Sequence, residues 1–262
     1  MCLILLAWRT HPDYPLILAG NRDEFHARPT SPAGFWEHWP QILAGRDLEH
    51  GGTWLGIARS GRLAAVTNYR DGRVLRRGTR SRGELVSGYL TSDQAPERFL
   101  QEVHAQRSAY DGFNLLAGTL DGLFYYSNRG ERPSALKPGI YGLSNHLLDS
   151  PWPKVERGKA ELANLVGLSP EPLIDRLLAV LADRTIAPDH ALPDTGVGLD
   201  RERILSTAFI DTPTYGTRSS TVLVVDAAGQ VSFTERTHPT SHDLAHTRRY
   251  TFTLTTKRPL TD

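Results

Sequence analysis

Cys2 is the residue with the clearest capacity for covalent chemistry, and it is the only cysteine of the chain. If Met1 is removed, Cys2 carries both a thiol and a free α-amine. An α-amine titrates near pH ~8, so it can accept the thiol proton at neutral pH, and one residue then supplies both nucleophile and base. The alternative is that Cys2 is a small buried hydrophobic residue at the start of a strand.

The segments that must position Cys2 predict a β-hairpin. Two apolar runs of strand length, 3–8 and 16–20, are joined by a polar turn. A hairpin brings the start of its first strand close to the end of its second. Because the second run leads directly into Asn-Arg-Asp-Glu at 21–24, we expect charged side chains beside Cys2.

The charged residues of this segment suggest how the thiol could be activated. Arg22 could lower the pKa of the Cys2 thiol. Either Asp23 or Glu24 could orient the α-ammonium group. An ordinary polar turn after a strand is the alternative interpretation of the same four residues.

Other polar side chains stand at the ends of predicted strands. Asn amides and Tyr hydroxyls are the donors that an oxyanion hole requires. Each of these residues, taken alone, is equally typical of a turn or a cap. They are Asn68, Tyr69, Asn114, Asn145 and Arg218.

The overall composition indicates a globular protein and narrows its partners. The 262 residues are 39% hydrophobic and 23% charged, with a net charge of +1, and we expect a single domain over 1–262. This balance provides no electrostatic argument for nucleic acid or an anionic membrane. The single cysteine excludes an internal disulfide, and the first apolar run is too short to cross a bilayer. We therefore expect a cytoplasmic protein without stable membrane insertion.

Two local features have alternative interpretations. A proline-rich segment at 29–40 predicts a rigid loop whose aromatic residues, Trp36 among them, either cover the core or form the wall of a cleft. A basic cluster is either a solvated face or a site for a phosphate or carboxylate. Its members are Arg70, Arg73, Arg76, Arg77, Arg80 and Arg82, with Arg248 and Arg249 forming a second group.

The order of the predicted elements favours an α+β fold. Strands, two helices, strands, two helices and strands follow one another, so the helices come in consecutive pairs and a doubly wound parallel sheet is disfavoured. Two stacked antiparallel sheets between two helical layers accommodate this order.

We expect hairpins over 53–58 with 63–69, 113–118 with 123–127 and 220–226 with 230–236, and strands at 139–144 and 250–254. We expect helices capped by Ser81, by Ser92 or Asp93, and by Ser169, a helix over 153–166, and a loop over 186–199 that could act as a lid.

Several motifs together resemble the NRDE family, also called the transport and Golgi organisation protein 2 family. They occur in the family's order over nearly the whole chain. They are MC (1–2), AGNRDEF (19–25), GGTWLG (51–56), TNYR (67–70), SRGEL (81–85), GFN (112–114), YGLSN (141–145), PW (151–152), LPDTG (192–196) and YGTRS (215–219).

The resemblance implies a four-layer αββα sandwich of the N-terminal-nucleophile hydrolase type. By a looser similarity to cysteine-nucleophile amidases, it implies Cys2 as nucleophile. The resemblance leaves open which acid is the partner, since counting from Gly20 favours Glu24 and residue identity favours Asp23. The implied catalytic residues are Cys2, Arg22, Asp23, Glu24, Asn68, Tyr69, Asn145 and Arg218, and the expected ligand contacts are Asn21, Trp36, Trp54 and Asn114.

Two functions of different classes follow. The first is hydrolysis of a linear amide or related acyl compound through an acyl-enzyme at Cys2, without a cofactor or metal. The second is binding or trafficking of haem or an acyl-lipid or acyl-coenzyme A ligand without catalysis, which the resemblance also implies. In the second case His104 or His146 could bind haem.

Overall fold

The computed structural model describes residues 2–74, 78–239 and 244–255. Arg76 and Arg77 of the basic cluster lie outside these residues. The described elements are β1 (Cys2–Trp8), β2 (Leu16–Phe25), β3 (Thr30–Trp36), β4 (Trp39–Asp47), β5 (Leu55–Ala58), β6 (Leu63–Asn68), α1 (Gly83–Thr91), α2 (Pro96–Ala105), β7 (Phe113–Thr119), β8 (Gly122–Ser127), β9 (Ser134–Ala135), β10 (Gly139–Leu143), α3 (Pro153–Leu165), α4 (Pro170–Leu181), α5 (Leu199–Leu205), β11 (Tyr215–Val225), β12 (Gln230–Thr237) and β13 (His246–Thr253).

The strands form two antiparallel sheets. The six-stranded sheet has the order β10-β1-β2-β11-β12-β13, and the seven-stranded sheet runs from β3 to β9 in chain order. Helices α3 and α4 pack on the six-stranded sheet, and α1 and α2 pack on the seven-stranded one. The two sheets face each other, so the layers are helix, sheet, sheet, helix. The predicted four-layer α+β fold is confirmed.

The apolar pattern of β1 explains why this strand lies at the centre of the layers. Successive side chains of a strand point to opposite faces. Ile4 and Leu6 belong to the core between the sheets, whereas Leu3 and Leu5 belong to the core under α3 and α4. A strand that is covered on both faces favours apolar residues at successive positions, and β1 is buried throughout.

The hairpin predicted at the start of the chain is confirmed, and its register places the site residues. Cys2 lies opposite Arg22, and Ile4 lies opposite Gly20. Gly20 cannot be replaced without displacement, because a Cβ atom there would lie 2.8 Å from the Leu3 carbonyl oxygen and 3.1 Å from the Trp54 ring. The close approach brings Trp54 against the strands that position Cys2.

The rigid loop predicted over 29–40 is wrong, because this segment forms the hairpin of β3 and β4. Its prolines suggested a loop. β3 is the edge strand of its sheet, and the register shifts between Ser31 and Gly34, around Pro32. An edge strand with a bulge tolerates a residue that lacks an N–H donor.

Two predicted helix caps are also wrong, although the helices exist. Helix α1 begins after Arg82 rather than Ser81, and α2 begins after Ala95 rather than Ser92 or Asp93. Pro96 fixes the start of α2, since a proline suits the first helical position. The predicted cap Ser169 does precede α4.

Apart from a 3-10 turn at Asp189–Ala191, the segment 186–199 is irregular as predicted. It leads into a short helix, α5, that the sequence pattern did not predict. Buried bonds anchor the segment: the Thr195 N–H donates to Glu202 at 2.9 Å, and Arg70 donates to Glu202 at 2.7 Å. None of the helices in the described part of the chain combines the length and the apolar character that crossing a membrane would require.

Candidate active site

Cys2 lies at the head of β1 with 7% of its surface exposed. Burial raises the pKa of its thiol, and the charge of Asp23 raises it further. Arg22 and a hydrogen bond from the Asp23 backbone N–H act in the opposite direction on the pKa. With an ordinary thiol pKa of about 8.5, Cys2 in this environment is protonated at neutral pH unless a base accepts its proton.

Asp23 is the acid whose charge affects the pKa of the Cys2 thiol. Its side chain is buried, and its Oδ1 accepts a hydrogen bond from Thr217 Oγ1 at 2.7 Å. Burial raises the pKa of Asp23, and the charge of Lys154 opposes this rise. Glu24, in contrast, lies 3.7 Å from Arg22 and 3.9 Å from Arg28.

Lys154 was missed in the sequence, because nothing in an amphipathic helix pattern marks a lysine as buried. It lies in α3 beneath the sheet, and its Nζ donates to the Leu205 carbonyl at 2.8 Å. Burial lowers the pKa of Lys154 to about 8, while the charges of Asp23 and Cys2 raise it. The positive charge of Lys154 therefore acts on the buried Asp23 carboxyl group.

Cys2 opens onto a cavity of about 390 Å³, here called the Cys2 cavity. Seven of the predicted site residues line it, together with Arg82 and Glu235, which were not predicted as site residues. The predicted residues that line it are Cys2, Arg22, Asp23, Glu24, Trp54, Asn68 and Arg218.

Asn145 and Tyr69 lie beside Asn68 but are not among the residues that line the Cys2 cavity. The buried Asn145 amide Nδ2 donates to the Asn68 carbonyl at 2.9 Å, so it holds the backbone that carries the Asn68 side chain. Tyr69 lies instead on a second space of about 220 Å³, here called the Tyr69 recess, together with Arg82 and Arg129. Asn68 is thus the predicted oxyanion donor that lines the Cys2 cavity.

Arg218 fixes one wall of the Cys2 cavity. It is 4% exposed and lies at the irregularity between Thr217 and Ser219 in the pairing of β11 with β2. Bulges of this kind change the direction of a side chain. The guanidinium donates to the carbonyl oxygens of Phe25, His26 and Arg28 at 3.0, 3.2 and 3.0 Å and to Thr30 Oγ1 at 3.3 Å.

Glu235 joins the two sheets at the Cys2 cavity. It lies in β12, is buried, and accepts a hydrogen bond of 2.6 Å from the backbone N–H of Ala33 in β3. Burial raises the pKa of Glu235. In the sequence it is one polar residue of an alternating strand, so no local signal separates it from a solvent-facing residue.

Asn114 and Trp36, predicted as ligand contacts, have structural partners. The Asn114 amide donates to Thr67 Oγ1 at 3.1 Å and to the His146 carbonyl at 2.9 Å. The Trp36 indole donates to the Ala44 carbonyl at 3.2 Å, and its ring is buried in the core between the sheets. At these two positions the polar groups of the side chains form hydrogen bonds that stabilise the fold.

Asn21 also lies away from the Cys2 cavity, on the side of the sheet that faces the helices. Its amide Nδ2 donates to the carbonyls of Leu181 and Ala208, both at 2.8 Å. Its Oδ1 therefore accepts from Ser220 at 2.6 Å, and the neutral His238 must donate from Nε2 to Ser220 at 2.8 Å. Asn21, Ser220 and His238 are thus linked by a series of hydrogen bonds.

His238 should make the stability of the protein depend on pH. Burial lowers its pKa to about 4, against about 6.5 when unfolded. Between these values the unfolded chain holds a proton that the folded chain does not, so the free energy of unfolding falls as the pH falls. The ring is half-buried, so we expect a loss of about 1 kcal/mol between pH 7 and pH 5. Urea unfolding of wild type and of His238→Gln checks this, and an identical pH dependence in both would contradict it.

The basic cluster divides into paired and sparsely paired arginines. Arg70 is buried against Glu202, and the exposed Arg73 pairs with Asp194 at 2.6 Å. Arg80 forms an ion pair with Glu84. The solvated-face interpretation therefore fits Arg73, while Arg82 lines the Cys2 cavity.

The two candidate haem ligands have side-chain partners of their own. His104 Nδ1 lies 3.1 Å from the Tyr126 hydroxyl, and His146 Nδ1 lies 2.7 Å from Ser150 Oγ. Within the described residues, no three His, Cys, Asp or Glu side chains gather as metal ligands would.

Comparison with known proteins relates the chain to one family. The sequence profile of Transport and Golgi organisation 2 matches residues 1–240. The Transport and Golgi organization protein 2 homolog of Bos taurus is 45% identical over 256 residues, which cover 90% of this chain and 92% of that protein. The homolog of Homo sapiens is 43% identical over 277 residues, covering 97% and 99%.

A solved structure shows a more distant likeness. The Caenorhabditis elegans N-acylethanolamine-hydrolyzing acid amidase (NAAA) ortholog has a TM-score of 0.46 and 10% identity, with 85% of this chain and 92% of that chain covered. The family assignment depends on the profile and on the sequence relatives. The chain belongs to the Transport and Golgi organisation 2 family.

Proposed function

We propose that this chain is an N-terminal-nucleophile hydrolase that cleaves a linear amide or related acyl compound through an acyl-enzyme at Cys2. The observation that supports the proposal is the placement of the single thiol. Cys2 stands opposite Arg22 in the β1–β2 register, receives a hydrogen bond from the Asp23 backbone, and borders the Cys2 cavity.

The proposed reaction has two steps. Removal of Met1 leaves the α-amine on Cys2, where it accepts the thiol proton, and the thiolate attacks the carbonyl carbon. A C–S bond forms, the C–N bond breaks, and the leaving amine takes the proton from the α-ammonium. A water molecule then attacks the thioester, the C–S bond breaks, the acid is released, and sulfur recovers a proton.

The surrounding residues have proposed roles that follow from their contacts. Asn68 lines the Cys2 cavity and can donate to the developing oxyanion. Asp23, whose charge acts on Cys2, orients the α-ammonium, and the charge of Lys154 opposes the rise in the Asp23 pKa that burial causes. Arg22 stabilises the thiolate. The chain has one cysteine and so no internal disulfide, which agrees with the predicted cytoplasmic location.

Intact mass measurement tests the proposal directly. The purified chain is incubated with p-nitrophenyl acetate and p-nitrophenyl octanoate, and separately with the matching p-nitroanilides. We expect a mature chain that lacks Met1 and gains the mass of one acyl group. A chain that keeps Met1 and forms no adduct with any of these compounds would contradict the proposal.

The pH dependence of Cys2 alkylation distinguishes the two forms of the chain. With a residue before Cys2, burial keeps the thiol pKa raised, so iodoacetamide labelling should reach half of its maximal rate above pH ~8.5. With Cys2 first, the α-amine accepts the proton and the midpoint should move to lower pH. A fusion cleaved directly before Cys2, compared with the chain that bears Met1, provides both forms, and coincident profiles would argue against the α-amine as base.

The raised thiol pKa also favours a second function for the chain that retains Met1. A protonated, buried thiol is a poor nucleophile, and the arginines of the Cys2 cavity could then bind an anionic acyl or haem ligand without catalysis. Titration with haem, followed by its Soret absorption, tests this function. A titration without a spectral shift would count against haem as the ligand.

A further inference from the structure

Arg82 stands where the two spaces of the site meet. It lines both the Cys2 cavity and the Tyr69 recess, and among the described residues Asp111 is the other one that borders both. The Tyr69 recess also contains Tyr69 and Arg129. A ligand whose reacting carbon lies at Cys2 and which extends toward Tyr69 would pass Arg82.

Arg82 has fewer hydrogen-bond partners among the described residues than Arg28 and Arg218, which line the same cavity. Among the described residues, its guanidinium makes one hydrogen bond, from Nη1 to the Gly112 carbonyl at 3.3 Å. Arg28, in comparison, makes two hydrogen bonds to Asp47 at 2.7 and 3.0 Å. Arg218 has the carbonyl partners described above. A guanidinium has five N–H donors, so most donors of Arg82 have no protein acceptor in the described part of the chain.

Asp111 borders both spaces together with Arg82, and among the described residues no ion pair joins the two side chains. Asp111 Oδ1 accepts a 2.6 Å hydrogen bond from the Gly78 backbone N–H. Its charge, with those of Cys2 and Glu24, acts on Arg82 from a distance and raises the pKa that burial lowers. Arginine remains protonated in proteins, so a half-buried cation is left facing the space between Cys2 and the recess.

We propose that Arg82 binds an anionic group of the substrate, a carboxylate or a phosphate, and thereby selects acyl compounds that carry this group on the side of the Tyr69 recess. The fork of donors on a guanidinium matches both groups. The proposal takes the reacting centre, Cys2, from the proposed function. It adds the chemical class of the ligand and the residue that recognises it.

A pair of thiol reagents of similar size measures this recognition. N-ethylmaleimide is neutral, and 3-maleimidopropanoate carries a carboxylate. In both cases the Cys2 sulfur adds to the maleimide double bond and the neighbouring carbon takes a proton, with no leaving group. Because the chain has one cysteine, every adduct reports on Cys2. The measured quantity is the ratio of the labelling rates for the anionic and the neutral reagent.

We expect Arg82→Gln to lower this ratio about tenfold, because a charge-assisted pair with the anionic reagent is lost. The effect of the Arg82 charge on the Cys2 thiol itself acts on both reagents and cancels in the ratio. Arg73→Gln is the matched control. It removes the same charge from the same cluster, but Arg73 is 58% exposed and paired with Asp194. Its ratio should stay within a factor of about two of wild type, because exposed charges are screened. An unchanged ratio in Arg82→Gln, or an equal drop in both variants, would overturn the proposal.

A second measurement on wild type does not depend on whether the variant folds. Acetate and inorganic phosphate should each slow labelling by 3-maleimidopropanoate in a saturable way and slow labelling by N-ethylmaleimide much less, and the stronger competitor identifies the preferred anion. Linear, non-saturable slowing by both would overturn the proposal. Labelling requires the thiol and not turnover, so a chain that hydrolyses nothing still reports on Arg82, and the two proposals fail separately.

Discussion

Replacing Cys2 by alanine is expected to abolish hydrolysis and to remove the covalent acyl adduct. The reason is that Cys2 is the only thiol of the chain and lies at the head of β1 facing the Cys2 cavity. Loss of a covalent nucleophile lowers turnover by a factor on the order of 10⁴ or more. The measurement is release of p-nitrophenol or p-nitroaniline from the acyl compounds used above, with intact mass in parallel.

Controls distinguish loss of chemistry from loss of the fold. Cys2→Ser keeps an oxygen nucleophile of similar shape, so it should form the adduct slowly and with the same mass increment relative to its own chain. Removal of the sulfur atom should lower the free energy of unfolding by only about 1 kcal/mol, since one small side chain is truncated. Undiminished turnover by a folded Cys2→Ala chain would exclude Cys2 as the nucleophile.

Replacing Arg70 by methionine is expected to cause a large loss of stability. Its guanidinium donates to Glu202 at 2.7 Å and to Thr195 at 2.9 Å, and it lies 4.5 Å from the centre of the Trp152 ring. Both charged partners are buried, so the substitution leaves the Glu202 carboxylate without its cation. Breaking a buried pair in this way costs about 3–5 kcal/mol. Urea unfolding of wild type and Arg70→Met at pH 7 measures the difference.

Two further variants make this prediction specific to the buried pair. Arg73→Met removes an exposed cation that pairs with Asp194, and it should cost less than about 1 kcal/mol. Adding Glu202→Gln to Arg70→Met removes the stranded charge and should recover part of the loss. A loss below about 1 kcal/mol for Arg70→Met, or no recovery in the double variant, would show that the pair does not hold segment 186–199.

The layers of the fold could be predicted because they depend on local patterns. β1 and the first half of β2 are continuous apolar runs, as is typical of strands covered on both faces, and the helices come in consecutive pairs. Turn signals such as Asp121-Gly122 gave the hairpin of β7 and β8. The pattern failed at β3, where Pro32 suggested a loop, because an edge position and a bulge are properties of the whole sheet.

The sequence by itself determined that Cys2 lies beside the segment 21–24, because a hairpin fixes the neighbours of its own strands. It could not determine which polar side chains reach the Cys2 cavity. Asn21 and Arg22 are adjacent, yet one points to the helical layer and the other lines the cavity, since alternate residues of a strand take opposite faces. Lys154, Arg82 and Glu235 join the site from distant segments, and only the packing of helices and sheets decides that contact, because no local pattern records long-range neighbours.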